Sequence, residues 1–453
     1  MLFFDYSFLF LFLPLAVLVH ARLKPSGRNL WLLVASAVFY SASSFQFLSL
    51  LVVSVSVDYI AGGRIARSES NRARKAWLLA SLAANLGFLG FFKYAGFITS
   101  NIRSLGIDVP IMNVPLPVGI SFYTFQSMSY TIDVYRRRVT PARSYVDFAA
   151  FVMLFPQLIA GPIVRYSDVS EALVDRSVES TRVASGIVLL VVGMAKKILL
   201  ADTFADMSEP MFATGSPSLL TAWGSMLLYA GQIYFDFSGY SDMAVGMGRL
   251  MGFPFPANFD SPYRAISFSD FWRRWHISLS TWLRDYLYIP LGGNRGGTVR
   301  TCINLMLTML LGGLWHGASW TFVVWGGLHG LFLVVERLAG ERNPLLKLPI
   351  QIRRVVIFAF VVITWVPFRL PNMSLVNQWW LAMFGLTGVG SLGILPIATL
   401  AALVFLVMRA KNTSNWQPEF SLRLSGSIVV LFLATLFVGY GRVVPSPFLY
   451  FRF

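Results

Sequence analysis

The sequence has almost no cysteine and very little charge. Cys302 is alone among 453 residues, so neither an intrachain disulfide nor a metal cluster held by several thiolates can form. Charged residues make up 13% of the chain, about half the share of a soluble domain. So few charges leave too little polar surface to cover a water-soluble globule of this size. The composition therefore excludes an ordinary soluble protein.

The first apolar segment, residues 8–20, lacks the positive charges that precede the core of a secretory signal peptide. Its basic residues follow it instead, as Arg22, Lys24 and Arg28. We therefore expect a retained first membrane span with an extracytoplasmic N-terminus.

Apolar residues are abundant and occur in long runs. They make up 56% of the chain, and the mean hydropathy is +0.64. A helix of about 20 apolar residues crosses a hydrocarbon core of about 30 Å. Candidate spans are residues 3–21, 29–44, 46–63, 76–92, 115–134, 184–200, 217–238, 302–320, 321–338, 355–370, 391–408 and 426–441. They predict an all-α polytopic membrane protein with roughly 11 to 12 transmembrane helices.

Residues 145–164 form a further apolar segment, which Pro156, Gly161 and Pro162 interrupt. A broken helix is tolerated at membrane depth only where protein surrounds it, so we expect a re-entrant element here. No internal repeat or soluble linker divides the chain, and we expect a single domain over residues 1–453.

The net charge of +16 does not indicate a nucleic-acid-binding protein. Lys and Arg occur in short clusters between apolar runs, around residues 22–28, 64–75, 136–143 and 249–300. With an extracytoplasmic N-terminus, these clusters fall on the cytoplasmic side, as the positive-inside rule requires. They also favour anionic cytoplasmic metabolites.

Residues 239–300 are too polar to span a membrane and too long for an ordinary connection. Large apolar residues recur in this segment at helical spacing: Phe268, Trp272, Trp275, Leu279 and Trp282. This pattern predicts one helix, capped by Ser267 or Ser269, that lies at the inner membrane interface with its indoles among the lipid headgroups.

Two interpretations of this helix remain open from its spacing. In the first it is an interfacial anchor without chemistry. In the second, Arg273 and Arg274 face the phosphates of a donor while His276 faces a polar channel. In this second interpretation the two arginines attract an anion and His276 supplies a titratable group.

His316 lies within an apolar run and is flanked by Gly312, Gly313 and Gly317. A titratable side chain at membrane depth is costly and usually lines a functional site or cavity. Desolvation favours the neutral imidazole that a general base or nucleophile requires. The alternative is a histidine that only joins two helices. For His329 we favour a structural role, and for His20 a position at the membrane interface.

These residues belong to longer motifs. They are Phe-Asp-Phe-Ser-Gly-Tyr-Ser-Asp-Met-Ala (235–244), Phe-Trp-Arg-Arg-Trp-His-Ile-Ser-Leu-Ser (271–280), Tyr-Ile-Pro-Leu-Gly-Gly-Asn-Arg (288–295) and Gly-Gly-Leu-Trp-His-Gly-Ala-Ser-Trp (312–320). Together they resemble the membrane-bound O-acyltransferases, and within them the bacterial alginate O-acetyltransferase branch. The resemblance is richest over residues 115–340 and less diagnostic over residues 341–453.

The resemblance implies helices around a central funnel or tunnel, with His316 as the catalytic histidine and His276 as a second site residue. It implies acetyl-CoA as a donor substrate, no permanently bound cofactor and no metal. Arg273 and Arg274 would attract the donor phosphates, and Trp272 and Trp315 would shape the tunnel wall.

The resemblance further implies a protein of the bacterial cytoplasmic (inner) membrane that transfers acetyl to an extracytoplasmic acceptor, with a periplasmic polysaccharide-modifying protein as partner. The modified polymer would be an exported polysaccharide, as in alginate biosynthesis. Transfer of D-alanine or another acyl group to a teichoic acid-like acceptor is the nearest alternative. A transporter or channel is more distant, because only one broken element is present where transporters show a matching pair.

Overall fold

Helices are the only regular secondary structure in the part of the chain that the computed structural model describes. Those residues are 3–393, 396, 398–400, 403, 412–413, 421–441 and 448–449. In chain order the α-helices are α1 (Leu13–Arg22), α2 (Pro25–Ser44), α3 (Leu48–Arg67), α4 (Asn71–Leu89), α5 (Ala95–Ser104), α6 (Ile120–Tyr135), α7 (Tyr145–Met153), α8 (Phe155–Leu158), α9 (Tyr166–Val174), α10 (Ser180–Ala195), α11 (Asp202–Phe212), α12 (Leu219–Leu250), α13 (Phe268–Arg274), α14 (Ile277–Leu283), α15 (Gly297–His316), α16 (Trp320–Ala339), α17 (Ile350–Arg369), α18 (Met373–Met383) and α19 (Leu422–Tyr440). The all-α prediction is confirmed.

Seven helical segments of the described chain are long and apolar enough to cross a membrane. They are Pro25–Arg67, Asn71–Ser104, Ser180–Phe212, Gly297–His316, Trp320–Arg342, Ile350–Arg369 and Leu422–Tyr440. The protein is therefore a multi-pass membrane protein. Pro25–Arg67 contains both α2 and α3, each of 20 residues, and a helix of 20 residues is about 30 Å long. That segment therefore counts as two of the predicted spans.

Some predicted spans differ from the observed helices. The span expected at residues 115–134 corresponds to α6, which begins only at Ile120 and has 16 residues. Thirteen of its residues are buried in protein. They include Thr124, Gln126 and other polar side chains on several faces of the helix, which protein rather than lipid must surround. Most of the span expected at residues 391–408 lies outside the described residues.

The interrupted segment at residues 145–164 forms a broken helix, as predicted. Helix α7 ends at Met153, and α8 begins at Phe155 after a single non-helical residue. Pro156 occupies the first turn of α8, where its missing N–H is not needed. Residues 148–164 are all buried, which places the break inside protein.

The polar segment predicted at residues 239–300 begins inside a long helix. Helix α12 continues without interruption to Leu250 and has 32 residues. Its polar side chains in this stretch, including Ser241 and Asp242, are buried. Glycine explains the close packing, since a Cβ on Gly246 would lie 2.6 Å from the carbonyl oxygen of Gly186. Polarity alone does not reveal this packing, because it depends on small residues that let the helix lie directly against the backbone of its neighbour.

The chain divides into two compact units. The first comprises Met1–Val191, Ser241–Pro256 and Gln417–Ser425, and the second comprises Val192–Tyr240, Ala257–Trp416 and Gly426–Phe453. In the first unit, α6 packs against α3 and α4. A single domain over the whole chain stays a prediction.

The core of the second unit is rich in aromatic side chains. Trp275, Trp325, Trp365 and Trp379 are all at most 3% exposed and belong to one apolar cluster. The two candidate histidines, His276 and His316, lie in this unit, and the aromatic cluster determines what surrounds them.

Candidate active site

The predicted helix over residues 268–282 is broken at its centre. Helix α13 ends at Arg274 and α14 begins at Ile277, with Trp275 and His276 between them. His276 has a φ of +45°, in the left-handed region that residues other than Gly, Asn and Asp rarely occupy. Ser267 caps α13, as predicted, by accepting a 3.0 Å hydrogen bond from Asp270 N. The single-helix prediction is therefore wrong. The spacing of apolar residues does not reveal that one residue, His276, has a positive φ.

Trp275 and Trp282 are buried inside the protein, so the predicted position of these two indoles among lipid headgroups is wrong, whereas Trp272 is half-buried. Trp275 and Trp282 are 3% and 5% exposed. Trp275 stacks on Phe271 at a centroid distance of 5.7 Å and contacts Trp365 at 5.0 Å. The apolar stripe faces the aromatic core of its own unit.

Asn258 holds His276 in place. Its side-chain oxygen accepts hydrogen bonds from Ser278 N at 3.2 Å and from Ser278 Oγ at 2.9 Å. His276 Nδ1 lies 3.1 Å from the same oxygen. Because a backbone N–H can only donate, the Asn258 atom is an acceptor, and His276 Nδ1 must carry the proton in this contact. The lone pair of the neutral ring is then on Nε2, the atom that a general base would use.

Burial lowers the pKa of the His276 imidazole to about 3. The ring is completely inaccessible to water, and desolvation disfavours the charged form. His276 is therefore neutral at physiological pH.

His316 is the last residue of α15, where Gly317 ends the helix with an extended backbone. The side chain is 4% exposed. Two glycines near it allow α15 to pack closely against other groups: a Cβ on Gly313 would lie 3.1 Å from Gly326 Cα, and one on Gly317 would overlap the ring of Phe322. Two of the three glycines that flank His316 therefore make close contacts with α16.

The two candidate histidines come together, although 40 positions separate them in sequence. The centroids of the His276 and His316 rings are 6.4 Å apart. Trp315 contacts both, at 6.1 Å from His276 and 5.0 Å from His316. Trp325 and Phe368 also contact His316, at 5.0 and 5.3 Å. The result is a buried pair of imidazoles inside an aromatic enclosure.

Trp272 and His329 border this enclosure. The Trp272 ring is 5.8 Å from Trp325 and 5.1 Å from His329. His329 is fully buried, and its Nε2 lies 3.0 Å from Thr364 Oγ1. This hydrogen bond joins α16 to α17 and agrees with a structural role for His329.

Arg273 lines a cavity of about 450 Å³. Arg337 and Glu336 of α16 line it as well, together with Tyr288 and Asn294. Glu336 accepts a 2.7 Å hydrogen bond from Phe268 N and so caps α13, whereas both arginines are exposed. The cavity therefore presents two exposed guanidinium groups beside polar side chains. Arg337 was missed from the sequence because no local pattern links the end of α16 to Arg273.

Arg274 is held differently from Arg273. Its Nε lies 2.9 Å from Asp270 Oδ1, and its Nη1 lies 3.5 Å from Asp260 Oδ2. The two predicted arginines therefore differ. Arg273 lies beside an open cavity, whereas two carboxylates balance the charge of Arg274. We expect Arg274 to position α13 and Arg273 to bind a ligand.

A second, more apolar cavity of about 200 Å³ lies next to the first, and Tyr288, Leu305 and Leu333 line both. Trp272, Leu283 and Met309 are among its other walls. His316 lines neither cavity, but Trp272 connects the second cavity to Trp325, which contacts His316.

His20 is buried in the first unit, where its Nε2 lies 3.1 Å from Arg176 Nη2.

Within the described ranges no group of three or more His, Cys, Asp or Glu side chains is placed to hold a metal ion.

Comparison with known proteins identifies the family. A model of the membrane-bound O-acyltransferase family matches residues 30–376. The chain is 46% identical to the probable alginate O-acetylase AlgI of Pseudomonas aeruginosa, over 85% of this chain and 75% of that protein. It is 38% identical to the peptidoglycan O-acetyltransferase of Helicobacter pylori, over 84% and 79% of the two chains. The teichoic acid D-alanyltransferase of Streptococcus thermophilus is 30% identical, over 48% and 56%.

These matches agree with the motifs. The resemblance to the alginate O-acetyltransferase branch is confirmed, and so is the prediction that the protein is an enzyme that transfers acyl groups. The chain belongs to the membrane-bound O-acyltransferase family.

Proposed function

We propose that the protein is an O-acetyltransferase that passes acetyl from cytoplasmic acetyl-CoA to an acceptor on the extracytoplasmic side of the membrane. The observation that carries this proposal is the buried pair His276 and His316, whose rings lie 6.4 Å apart. The names of the relatives support acetyl as the group and an envelope or exported polysaccharide as the final acceptor. A periplasmic polysaccharide-modifying protein is the proposed partner.

The two adjoining cavities suit a donor with a charged end and a long apolar arm. In this proposal Arg273 and Arg337 attract the phosphates of acetyl-CoA in the larger cavity, since guanidinium groups bind phosphate well. The thioester arm enters the apolar cavity beside Trp272. Movement of Trp272 or Leu283 then opens the path toward His316, because His316 lines neither cavity.

His316 is the proposed general base. Its neutral ring takes the proton from an acceptor hydroxyl while the hydroxyl oxygen attacks the thioester carbonyl carbon. The carbon–sulfur bond breaks, and the leaving thiolate takes the proton back from the His316 imidazolium. Trp315 and Trp325 form the wall that keeps water from hydrolysing the thioester. His276, fixed by Asn258 in its Nδ1-protonated form, contributes a second neutral imidazole to the same enclosure.

The proposed location is a bacterial cytoplasmic membrane, as the bacterial relatives suggest, and the basic clusters support an N-terminus outside. In that orientation, residues 64–75 and the end of α16 with Arg337 face the cytoplasm, where acetyl-CoA is made. The proposed donor entrance and the predicted topology are thus consistent with each other.

The proposal is tested with the purified protein by following thiol release from acetyl-CoA in the presence and absence of a hydroxyl acceptor. His316→Ala is expected to lose at least about two orders of magnitude of activity, the usual scale for a removed general base. His20→Gln serves as the control, because it changes a buried histidine of the first unit. A His316→Ala protein that is folded and as active as the parent would refute the proposal.

A further inference from the structure

Two arginines of the first unit, Arg28 and Arg176, meet where α1, α2 and the segment after α9 come together. Arg28 Nη1 donates a 3.3 Å hydrogen bond to Arg176 O, and Arg176 Nη1 donates a 2.7 Å hydrogen bond to Asn29 Oδ1. His20 of α1 accepts from Arg176 Nη2 at 3.1 Å and so orients that side chain. Nothing in the proposed transfer reaction uses this arginine pair.

The described residues leave the charge of the arginine pair without a carboxylate partner. Neither arginine forms an ion pair with a described Asp or Glu. Asp147 acts on Arg176 only from a distance, since its own oxygens lie 3.6 Å from Arg143 Nε and 2.5 Å from Asn29 Nδ2. Burial and the charge of Arg28 lower the pKa of Arg176 to about 10. The pair therefore has an excess of positive charge that an anion would neutralise.

Hydrogen-bond donors of the arginine pair remain for a ligand. A guanidinium carries five N–H groups. Arg28 uses its Nε on Leu23 O at 3.1 Å and one hydrogen of Nη1 on Arg176 O, and the described residues supply no further acceptor for it. Both arginines are only half-buried, so a ligand can reach them from the surface. Phosphate suits these donors, because guanidinium groups bind its oxygens through paired N–H groups.

The arginine pair lies at the turn between two apolar helices. Helix α1 ends at Arg22 and α2 begins at Pro25, and the exposed side chains of Arg22 and Lys24 add positive charge to this turn. Farther along the two helices, exposed side chains are apolar: Leu15 and Leu18 on α1, and Leu30, Val34 and Val38 on α2. A basic turn beside exposed apolar helix faces offers the two surfaces that a phospholipid needs, one for its phosphate and one for its acyl chains.

The charge and the apolar faces together select the ligand. A soluble phosphate would use the arginines but leave the apolar faces without a role. A headgroup that carries its own ammonium would be repelled by the excess of positive charge. We propose that Arg28 and Arg176 bind the phosphate of an anionic phospholipid whose acyl chains lie along α1 and α2. With the predicted topology this lipid belongs to the cytoplasmic leaflet.

The test is the thermal unfolding of the purified, delipidated protein in a neutral detergent. Phosphatidylglycerol, phosphatidylcholine or inorganic phosphate is added at equal phosphorus concentration. A ligand that binds only the folded state raises the Tm in a saturable way. We expect a rise of a few degrees with phosphatidylglycerol, a clearly smaller one with phosphatidylcholine and none with inorganic phosphate. Equal rises with the two lipids, a rise with inorganic phosphate as large as that with phosphatidylglycerol, or no rise at all would overturn the proposal.

Variants of the arginine pair supply the second measurement. Arg28→Gln and Arg176→Gln each remove one charge, so each should raise the half-saturating concentration of phosphatidylglycerol by about fivefold. This concentration is read separately from the Tm of the lipid-free variant, so a loss of stability does not imitate a loss of binding. Arg28→Lys keeps the charge and should bind more tightly than Arg28→Gln.

Arg72→Gln is the matched control. Arg72 is an exposed residue of α4 in another basic cluster, which is predicted to face the same side of the membrane. Its substitution removes the same charge and should leave the half-saturating concentration near that of the parent. An equal shift in Arg72→Gln and Arg28→Gln would show a general effect of surface charge and would overturn the site.

Discussion

His276 is held in an unusual backbone conformation by its neighbours. Its left-handed φ of +45° costs of order 1–3 kcal/mol for a residue of this kind. Asn258 offsets that cost with its contacts to His276 and Ser278, and the T-shaped contact with Phe237 at 4.7 Å fixes the other side of the ring. Strain of this kind tends to be retained at sites where the position of one side chain matters.

The low pKa of His276 gives the stability of the protein a definite pH dependence. In the unfolded chain the ring has its ordinary pKa of 6.5, whereas in the folded chain its pKa is about 3. The unfolded state therefore binds more protons as the pH falls below 6.5. The stabilising contribution of the neutral ring is complete above that pH and is lost progressively toward pH 3, by up to about 1.4 kcal/mol per pH unit.

This dependence is measured as the Tm of the purified protein from about pH 7 to about pH 4. His276→Asn removes the titrating group and places at position 276 a residue that tolerates the left-handed conformation. We expect the Tm of the parent to fall more steeply with acid than that of His276→Asn. Parallel curves for the two proteins would contradict a buried neutral His276.

At the scale of elements, the α15–α16 pair determines where His316 lies. Gly313 and Gly326 face each other across this interface, with a Cβ on either 3.1 to 3.2 Å from the other's backbone. A Cβ on Gly326 would also overlap the carbonyl oxygen of Met309. Small residues let membrane helices pack at short distance, and here they bring the end of α15 toward Trp325.

A methyl group at this interface is expected to disturb the site. In Gly313→Ala the new Cβ would overlap the carbonyl oxygen of Phe322, so the helices must separate. We expect a loss of about 1–3 kcal/mol of stability, seen as a lower Tm, and a clear fall in acyl transfer because His316 moves.

Gly327→Ala is the matched control, on the same helix pair. Its Cβ would lie 3.6 Å from Leu310 Cδ2, an ordinary van der Waals distance. We expect its Tm and activity to stay near those of the parent. If both variants behaved alike, close packing at Gly313 would not be what positions His316.

At the scale of the whole molecule, the positive-inside pattern makes a prediction about orientation. Ser70 follows α3 in the basic stretch 64–75, and Asp108 lies in the irregular stretch after α5. Both residues are exposed. With the N-terminus outside, Ser70 faces the cytoplasm and Asp108 the opposite side.

Single cysteines test this orientation in a Cys302→Ala background, which contains no other thiol. A membrane-impermeant maleimide should label Asp108→Cys in intact cells, and Ser70→Cys only after the cells are permeabilised. Labelling of Ser70→Cys in intact cells would reverse the orientation and move the proposed donor entrance to the outside. The expected labelling difference is nearly complete, since an impermeant reagent does not cross the bilayer.

Much about this protein follows from the chain alone. Low charge and long apolar runs require a helical membrane protein, because a bilayer leaves backbone groups no partner except each other. The motifs around His276 and His316 identify the family, and the prolines of residues 145–164 predict a broken helix. All of these properties depend on local composition or on short contiguous patterns.

Other features arose only from tertiary packing. The break at His276 depends on Asn258, 18 positions away, and helical spacing carries no sign of it. Arg337 joins Arg273, and Asp260 joins Asp270 in balancing Arg274, because separate segments meet in space. The apolar stripe from Phe268 to Trp282 indicated a buried surface. It did not indicate whether lipid or protein covers that surface, since a membrane interface and an aromatic core both fit the same spacing. Sequence thus determined the class, the family and the candidate histidines, whereas contacts between distant segments decided their geometry.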